Sequence, residues 1–382
     1  MVTMKLKDCC TIIAGQSPES KYYNTEGAGI PFFQGKADFG EVYPSVRVFC
    51  SQPTKMAEKD DILLSVRAPV GPTNLSPGRV CIGRGLAAIR PSEILNLKYL
   101  LHYFRYFEAQ LQQKGTGTTF KAITQDVVKN LEVPIPSLDE QECIVARIEE
   151  LFSELDNGVE TLRKTKQQLA VYRQAVLKDA FSHITEKKPI REMSSVVTSG
   201  SRGWAQYYSD HGAKFVRIGN LTRDRIRIDL SDIQFVALPD GAEGKRTQLQ
   251  PNDVLVSITA DLGSVGLVPD DIGEAYVNQH IAMVRFLNPV QGEFMAWYLR
   301  SDYGQKDLLK NKRGGGKLGL GLDDIRDSRV PLVSDAEAIK IVENIEVRLS
   351  VCDNIEKNVD AALQQAEAVR QSILKQAFEG RL

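Results

Sequence analysis

Apolar residues recur at spacings of three, four and seven from Ile144 onward: Ile144, Ile148, Leu151, Leu155, Leu162, Leu169, Tyr172 and Val176. That spacing is the stripe of an amphipathic helix. A second stripe runs through Ile341, Ile345, Leu349, Cys352, Ile355, Val359, Val369 and Ile373. Each follows a proline, Pro134 or Pro331, that stops the preceding segment. Ser137 and Ser334 are natural N-caps, with Glu140 and Glu337 three residues on, which is a capping box. A helix of about 45 residues, at ~1.5 Å rise, spans roughly 65 Å. Gly158, Thr165, Arg348 and Ala366 interrupt the stripes, so two helices packed on each other and on a partner are expected in place of one free-standing coiled coil.

The stripes are copies of one another. A shift of 197 residues lays Pro134 to Phe181 on Pro331 to Phe378 without a gap, with 18 of 48 positions identical. Connectivity then predicts direction: the first helix leaves one block for the next, and the second packs back along it. The pair should be antiparallel, with a pseudo-twofold axis relating the two copies.

The segments before each helix repeat more faintly. Lys59 to Gly71, KDDILLSVRAPVG, resembles Pro251 to Gly263, PNDVLVSITADLG, and Gly29 to Val42 resembles Gly212 to Ile226. These are short β-rich runs broken by Gly, Pro, Asn and Asp, each followed by a helical stretch and a glycine-rich loop. The predicted fold is α+β, two mixed blocks joined by two long antiparallel helices that form a coiled-coil-like spacer. The expected boundaries are 1–136 for the first block, 137–185 for the first helix, 186–331 for the second block and 332–382 for the second helix.

Catalytic chemistry finds little support. The four histidines lie near no recognisable nucleophile elbow, and no G-x-x-x-x-G-K-[ST] phosphate loop exists. GGGKLGLG, Gly314 to Gly321, follows a basic helical stretch and not a strand, so it fails the context of a dinucleotide loop. The six cysteines form no C-x-x-C pair, which points to reduced thiols and to neither disulfides nor zinc. No metal site, cofactor or active site is expected, and no apolar run approaches the roughly 20 residues of a membrane span. With no signal-peptide pattern either, a cytoplasmic location is expected.

The loops suit binding. A net charge of −1 conceals an alternation: residues 1–136 carry 16 Lys/Arg against 12 Asp/Glu and 187–331 carry 20 against 18, whereas the two helical segments are acidic. Lys114, Thr116 and Lys121 in one block, and Lys312, Arg313 and Lys317 in the other, place cations beside glycine-rich backbone suited to phosphate. Base edges need side chains with a defined donor or acceptor face. Candidates are Gln34, Lys36 and Arg67 in the first block, and Ser201, Arg202, Arg217, Asn220, Thr222 and Arg223 in the second.

Taken together, VPIPSLDEQECIV (Val133 to Val145), the Leu-Lys-x-Ala-Phe exits at Leu177 to Phe181 and Leu374 to Phe378, the closing EGRL and the runs GSRGW (Gly200 to Trp204) and FVRIGNL (Phe215 to Leu221) resemble the specificity subunits of type I restriction-modification systems. The resemblance implies two target recognition domains, each reading half of a bipartite, asymmetric duplex DNA site. The helices would set the gap and dock two methylation subunits, with restriction subunits added in the full complex. It implies no catalysis by this chain. A competing assignment is a scaffold that recruits proteins at two blocks without binding DNA.

Overall fold

The computed structural model describes residues 2–116, 121–223, 225–238, 243–310 and 319–382. They divide into two units, Met1–Leu162 with Ala361–Leu382, and Arg163–Asp360. Each long helix, Leu138–Phe181 and Asp335–Phe378, therefore contributes to both.

In the first unit an antiparallel sheet has the order Cys10–Ala14, Leu86–Pro91, Ile62–Ser65, Thr73–Leu75. A second sheet has the order Tyr23–Asn24, Val48–Cys50, Ile30–Phe33, Val80–Ile82, Met56–Ala57, with one parallel pairing, Phe32 to Cys81. The second unit repeats this topology. Its first sheet runs Ser194–Ser199, Ile281–Phe286, Val254–Ser257, Val265–Leu267, and its second runs Tyr208–Ser209, Gln234–Val236, Ala213–Val216, Ala275–Val277, again with one parallel pairing, Phe215 to Tyr276. The strands Ile62–Ser65 and Val254–Ser257 are buried throughout, which explains their unbroken apolar sequence.

The faint repeat of the blocks is a repeat of backbone requirements. Gly29 and Gly212, each leading into an equivalent strand, have φ of +97° and +115°, and a Cβ there would meet the carbonyl oxygens of Cys50 and Val236 at 2.1 and 2.6 Å. Only glycine satisfies both conditions. The carboxylates of Asp61 and Asp253 are 1% exposed, and each receives two bonds from one guanidinium, Arg90 at 2.7 and 2.8 Å or Arg285 at 2.8 and 2.7 Å. Each also accepts a backbone N–H at 2.8 Å, from Glu58 or Gln250, so a buried charge is fully answered in both units.

The helix starts are anchored differently in the two copies. Ser137 and Glu140 form the reciprocal box, at 2.9 Å from Ser137 N to the carboxylate and 3.4 Å from Glu140 N to the hydroxyl. In the second copy Ser334 Oγ accepts from Glu337 N at 3.3 Å, while the Glu337 carboxylate lies 3.9 Å from His183. Buried Gln141 accepts from Asn96 N at 2.7 Å and donates to the carbonyls of Ile94 and Pro136, both at 3.0 Å. The repeat puts Ala338 at its position, and Gln291 from the block donates instead to Val333 O, at the place of Pro136 O, at 3.2 Å.

The helices are antiparallel in each unit. In the first, Ile148 and Phe152 pack with Leu374 and Ala377, and Arg370 bonds Asp156. In the second, Lys166 reaches Asp360 at 2.7 Å, Arg173 reaches Asp353 at 2.7 Å and Arg348 reaches Asp179 at 2.9 Å. Of the expected stripe, Ile148, Leu169, Val176, Ile345, Leu349, Cys352 and Val359 are buried, and Ile144, Leu151, Leu155, Leu162, Ile341 and Ile373 are half-buried.

Three expectations need correction: Tyr172, Ile355 and Val369 are exposed, at 43%, 39% and 39%. The buried rows keep a seven-residue period, 345, 352, 359, 366, 373 and 349, 356, 363, 370, 377, which Ile355 and Val369 fall off. Ala366 does not interrupt the seam, since it is buried within it. Tyr172 instead holds the Arg348 guanidinium 5.5 Å above its ring. Each helix closes on an aromatic nest, Phe181 against Phe294 and Tyr298, and Phe378 against Tyr99, Tyr103 and Tyr106.

Candidate nucleic-acid interface

The loop after each equivalent strand is built the same way. Gln34 N–H donates to the Asp38 carboxylate at 2.8 Å, and Arg217 N–H donates to Asn220 Oδ1 at 2.8 Å. A side chain inside a short 3-10 turn thus holds the first loop residue while its own side chain points outward from the strand end. A second loop docks beside it. Val66 N–H bonds Gly85 O and Ile123 N–H bonds Val66 O, both at 2.9 Å; in the second unit Ile258 N–H bonds His280 O and Leu320 N–H bonds Ile258 O, also at 2.9 Å. Arg67 bridges to Ala122, and Thr259 bridges to Gly319.

In the first unit this framework brings Gln34, Lys36, Arg67, Lys114, Thr116 and Lys121 into one loop cluster. All six are exposed. Thr116 and Ala122 exchange backbone bonds of 3.0 Å, which closes the glycine-rich loop on itself, and its tip, residues 117–120, lies outside the described residues. Arg84, missed in the sequence, is exposed on the turn between Gly83 and Gly85. Those glycines pass close to Gln34, where a Cβ on Gly85 would lie 2.3 Å from Gln34 O.

The second unit separates its candidates. Ser201 is half-buried and Arg202 exposed, beside Arg246, whose guanidinium reaches Ser201 Oγ at 3.4 Å. Arg217 stands at the position of Gln34, next to a hollow of about 390 Å³ shared with Asp229, Asp232, Asn278 and His280. Asn220 is no base reader: it is 4% exposed and its amide is spent on Arg217 N, Asp229 O and Asp232 O. Thr222 and Arg223 turn into a different cavity, and Arg223 is tied to Asp261 at 2.6 Å, which holds the Asp261 carboxyl below its ordinary range. Lys312, Arg313 and Lys317 lie outside the described residues.

Three residues take the places left open. Thr259 Oγ1 lies 2.8 Å from His280 Nδ1, and Gln279 Nε2 lies 2.8 Å from His280 Nε2, so the imidazole is fixed on both sides. Gln279 and His280 correspond to Arg84 and Gly85. The alignment of KDDILLSVRAPVG with PNDVLVSITADLG already set Thr259 opposite Arg67, but its lack of charge hid it.

Each unit thus carries a loop cluster on the same mixed α+β frame, beside its stretch of paired helices. The family model of the type I restriction modification DNA specificity domain matches residues 1–169. Residues 1–169 are therefore similar to the specificity domain of type I restriction-modification systems. A putative type I restriction enzyme MjaX specificity subunit of Methanocaldococcus jannaschii is 42% identical over 159 residues, which cover 41% of this chain and 36% of that relative. The chain thus matches about a third of that relative's length. The EcoKI specificity subunit of Escherichia coli is 24% identical over 331 residues, covering 80% and 70%. Among solved structures, one described under complex assembly and conformational transition of the type I R-M system aligns with a TM-score of 0.77 at 18% identity, over 100% of this chain and 98% of that one. The HsdS subunit of Thermoanaerobacter tengcongensis aligns at 0.53, with 19% identity and coverage of 100% and 97%. These two likenesses are of fold.

Proposed function

We propose that this chain gives a type I restriction-modification complex its DNA sequence specificity and carries no active site of its own. Each recognition block, 1–136 and 186–331, reads one half of a bipartite, asymmetric duplex site. The observation that carries this is a shared backbone frame with different side chains at its tip: Gln34, Lys36, Arg67 and Arg84 in one unit, Arg217, Thr259, Gln279 and His280 in the other. Equal frames suit equal approaches to a duplex, and unequal donors and acceptors suit unequal base sequences.

The helices, 137–185 and 332–382, set the gap between half-sites and dock two methylation subunits; restriction subunits join in the full cytoplasmic complex. Val347, Val351 and Ile355, spaced by four on the second helix and exposed at 66%, 54% and 39%, support an apolar partner there. The test is duplex binding by the chain with its methylation subunits across a salt series. A steep loss of affinity with salt is expected from phosphate neutralisation, and binding to protein partners with no salt-sensitive DNA affinity would favour the scaffold.

A further inference from the structure

Three side chains in the loop cluster of the second unit form one directional chain of hydrogen bonds. Gln279 Nε2 lies 2.8 Å from His280 Nε2, and His280 Nδ1 lies 2.8 Å from Thr259 Oγ1. An amide nitrogen can only donate, so His280 Nε2 accepts, the ring proton sits on Nδ1, and Nδ1 donates it to the threonine oxygen. The backbone under this chain is held as well. His280 N–H donates to Asn278 Oδ1 at 3.1 Å, and His280 O accepts from Ile258 N–H at 2.9 Å. After Thr259 comes Ala260 at φ +59°, a left-handed conformation that alanine seldom adopts. Asp261 locks this turn: its carbonyl accepts from Ser257 Oγ, and its carboxylate accepts from Ser264 Oγ at 2.6 Å and from Arg223 at 2.6 Å. Backbone held in such a conformation by its surroundings clusters at binding sites.

A primary amide has two N–H groups and one oxygen, and His280 takes one N–H. Among the described residues the other N–H and Oε1 of Gln279 meet no partner, and the residue is half-buried. A donor and an acceptor side by side match the N7 acceptor and the N6 amino donor that adenine presents in the major groove. A glutamine free to rotate about its last bond offers either order, and the reversed order sets donor against donor. The bond to His280 removes that freedom.

The matching turn of the first unit carries Arg84 and Gly85 in these places, ahead of the equivalent strands that begin at Leu86 and Ile281. Gly85 supplies no ring to orient its neighbour. A guanidinium requires none, because every edge of it donates, and its donor pair suits the two acceptors of guanine. One position on the shared frame therefore holds a pair of donors in one copy, and a donor beside an acceptor, with the ring that orients them, in the other.

Resting on the reading that the second block contacts duplex DNA, we infer that Gln279 reads one adenine of that block's half-site, and that His280, oriented by Thr259, is the positioning residue that fixes the order of the amide's donor and acceptor. The test is selection from a pool of random duplexes by the full chain with its methylation subunits, then competition with duplexes altered at single positions. One position of the half-site should require adenine, and Gln279→Arg should convert that position to guanine while the others stay as they are. Gln279→Ala should relax the same position. Thr259→Val should weaken the discrimination there about ten-fold, with affinity for unrelated duplex unchanged, and Thr259→Ser should restore it. An enriched site in which Gln279→Arg changes no position, or in which Thr259→Val leaves adenine as strictly required, overturns the proposal while showing that the chain still reads DNA. No enriched sequence from the unaltered complex overturns the specificity reading and this assignment with it.

Discussion

In the second unit Arg173 Nη1 lies 2.7 Å from Asp353 Oδ1, across the two long helices. A shift of 197 residues turns this pair into Arg370 and Asp156, which are bonded in the first unit. One interaction is therefore made twice, with the helices exchanging roles. A charge within an apolar seam favours the register in which its partner is opposite and penalises others. Because Asp353 and Asp156 are largely exposed, each pair contributes about 0.2–1 kcal/mol. Arg173→Asp should lower the unfolding midpoint, and the exchange Arg173→Asp with Asp353→Arg should recover only part of the loss in thermal melts, because the 2.9 Å bond from Arg173 to Glu356 is not restored. Equal melting of the single and double variants would leave no coupling to explain.

The doubly bonded carboxylates matter more to stability. Arg90→Ala or Arg285→Ala strands a carboxylate that is 1% exposed, at a cost of about 3 kcal/mol. Denaturant midpoints of both variants should fall, further for Arg285→Ala, whose guanidinium is the less exposed and also donates to Gln248 O at 3.0 Å.

Acid should loosen the first unit through His102. Burial, and after it the neighbouring Arg105, hold its imidazole down at about 4. An unfolded chain takes up this proton near pH 6.5 and the folded chain only near 4, so its contribution is complete above pH 6.5 and lost as pH falls between those values. The loss reaches on the order of 3 kcal/mol by pH 4. Melting curves from pH 7.5 to 5 should show a falling midpoint, and His102→Gln should flatten that slope.

Exchanging tip residues should respecify one half-site at a time. Arg67→Ala is expected to relax a position in the half-site read by the first block by about 1–3 kcal/mol and to leave the other half unaltered. Methylome sequencing of a strain carrying the variant measures both halves at once. A change in the other half-site would refute the division of labour.

Seven residues inserted into both helices, between Leu162 and Arg163 and between Asp360 and Ala361, preserve the seam's period. At ~1.5 Å per residue and ~3.4 Å per base pair, the gap between half-sites should lengthen by about three base pairs with both half-site sequences retained. The methylome again reports the outcome.

The helices were legible in the sequence because leucines, isoleucines and valines mark a seam directly. Its charged members were not: Arg173, Glu356 and Arg370 are half-buried in the seam, and an apolar stripe skips them. The strands of each block were legible as short β-rich runs, and the loop cluster of the first unit through its cations. The second cluster was hidden for two reasons. Asn220, a good base reader by type, is consumed by its own loop, whereas Thr259, Gln279 and His280 acquire a role only through the turn that gathers them.

The glutamine at the helix start comes from the helix in one copy and from the block in the other. A block transplanted between the two positions would therefore meet the wrong joint. The first block ahead of the second helix faces Ala338 and finds no amide for Asn96 N–H or Ile94 O, while the second block ahead of the first helix brings Gln291 up against Gln141. New specificities made by shuffling blocks should then be directional in their cost. The first arrangement is rescued by Ala338→Gln, and the two halves of this chain, though copies by descent, have become left-hand and right-hand parts.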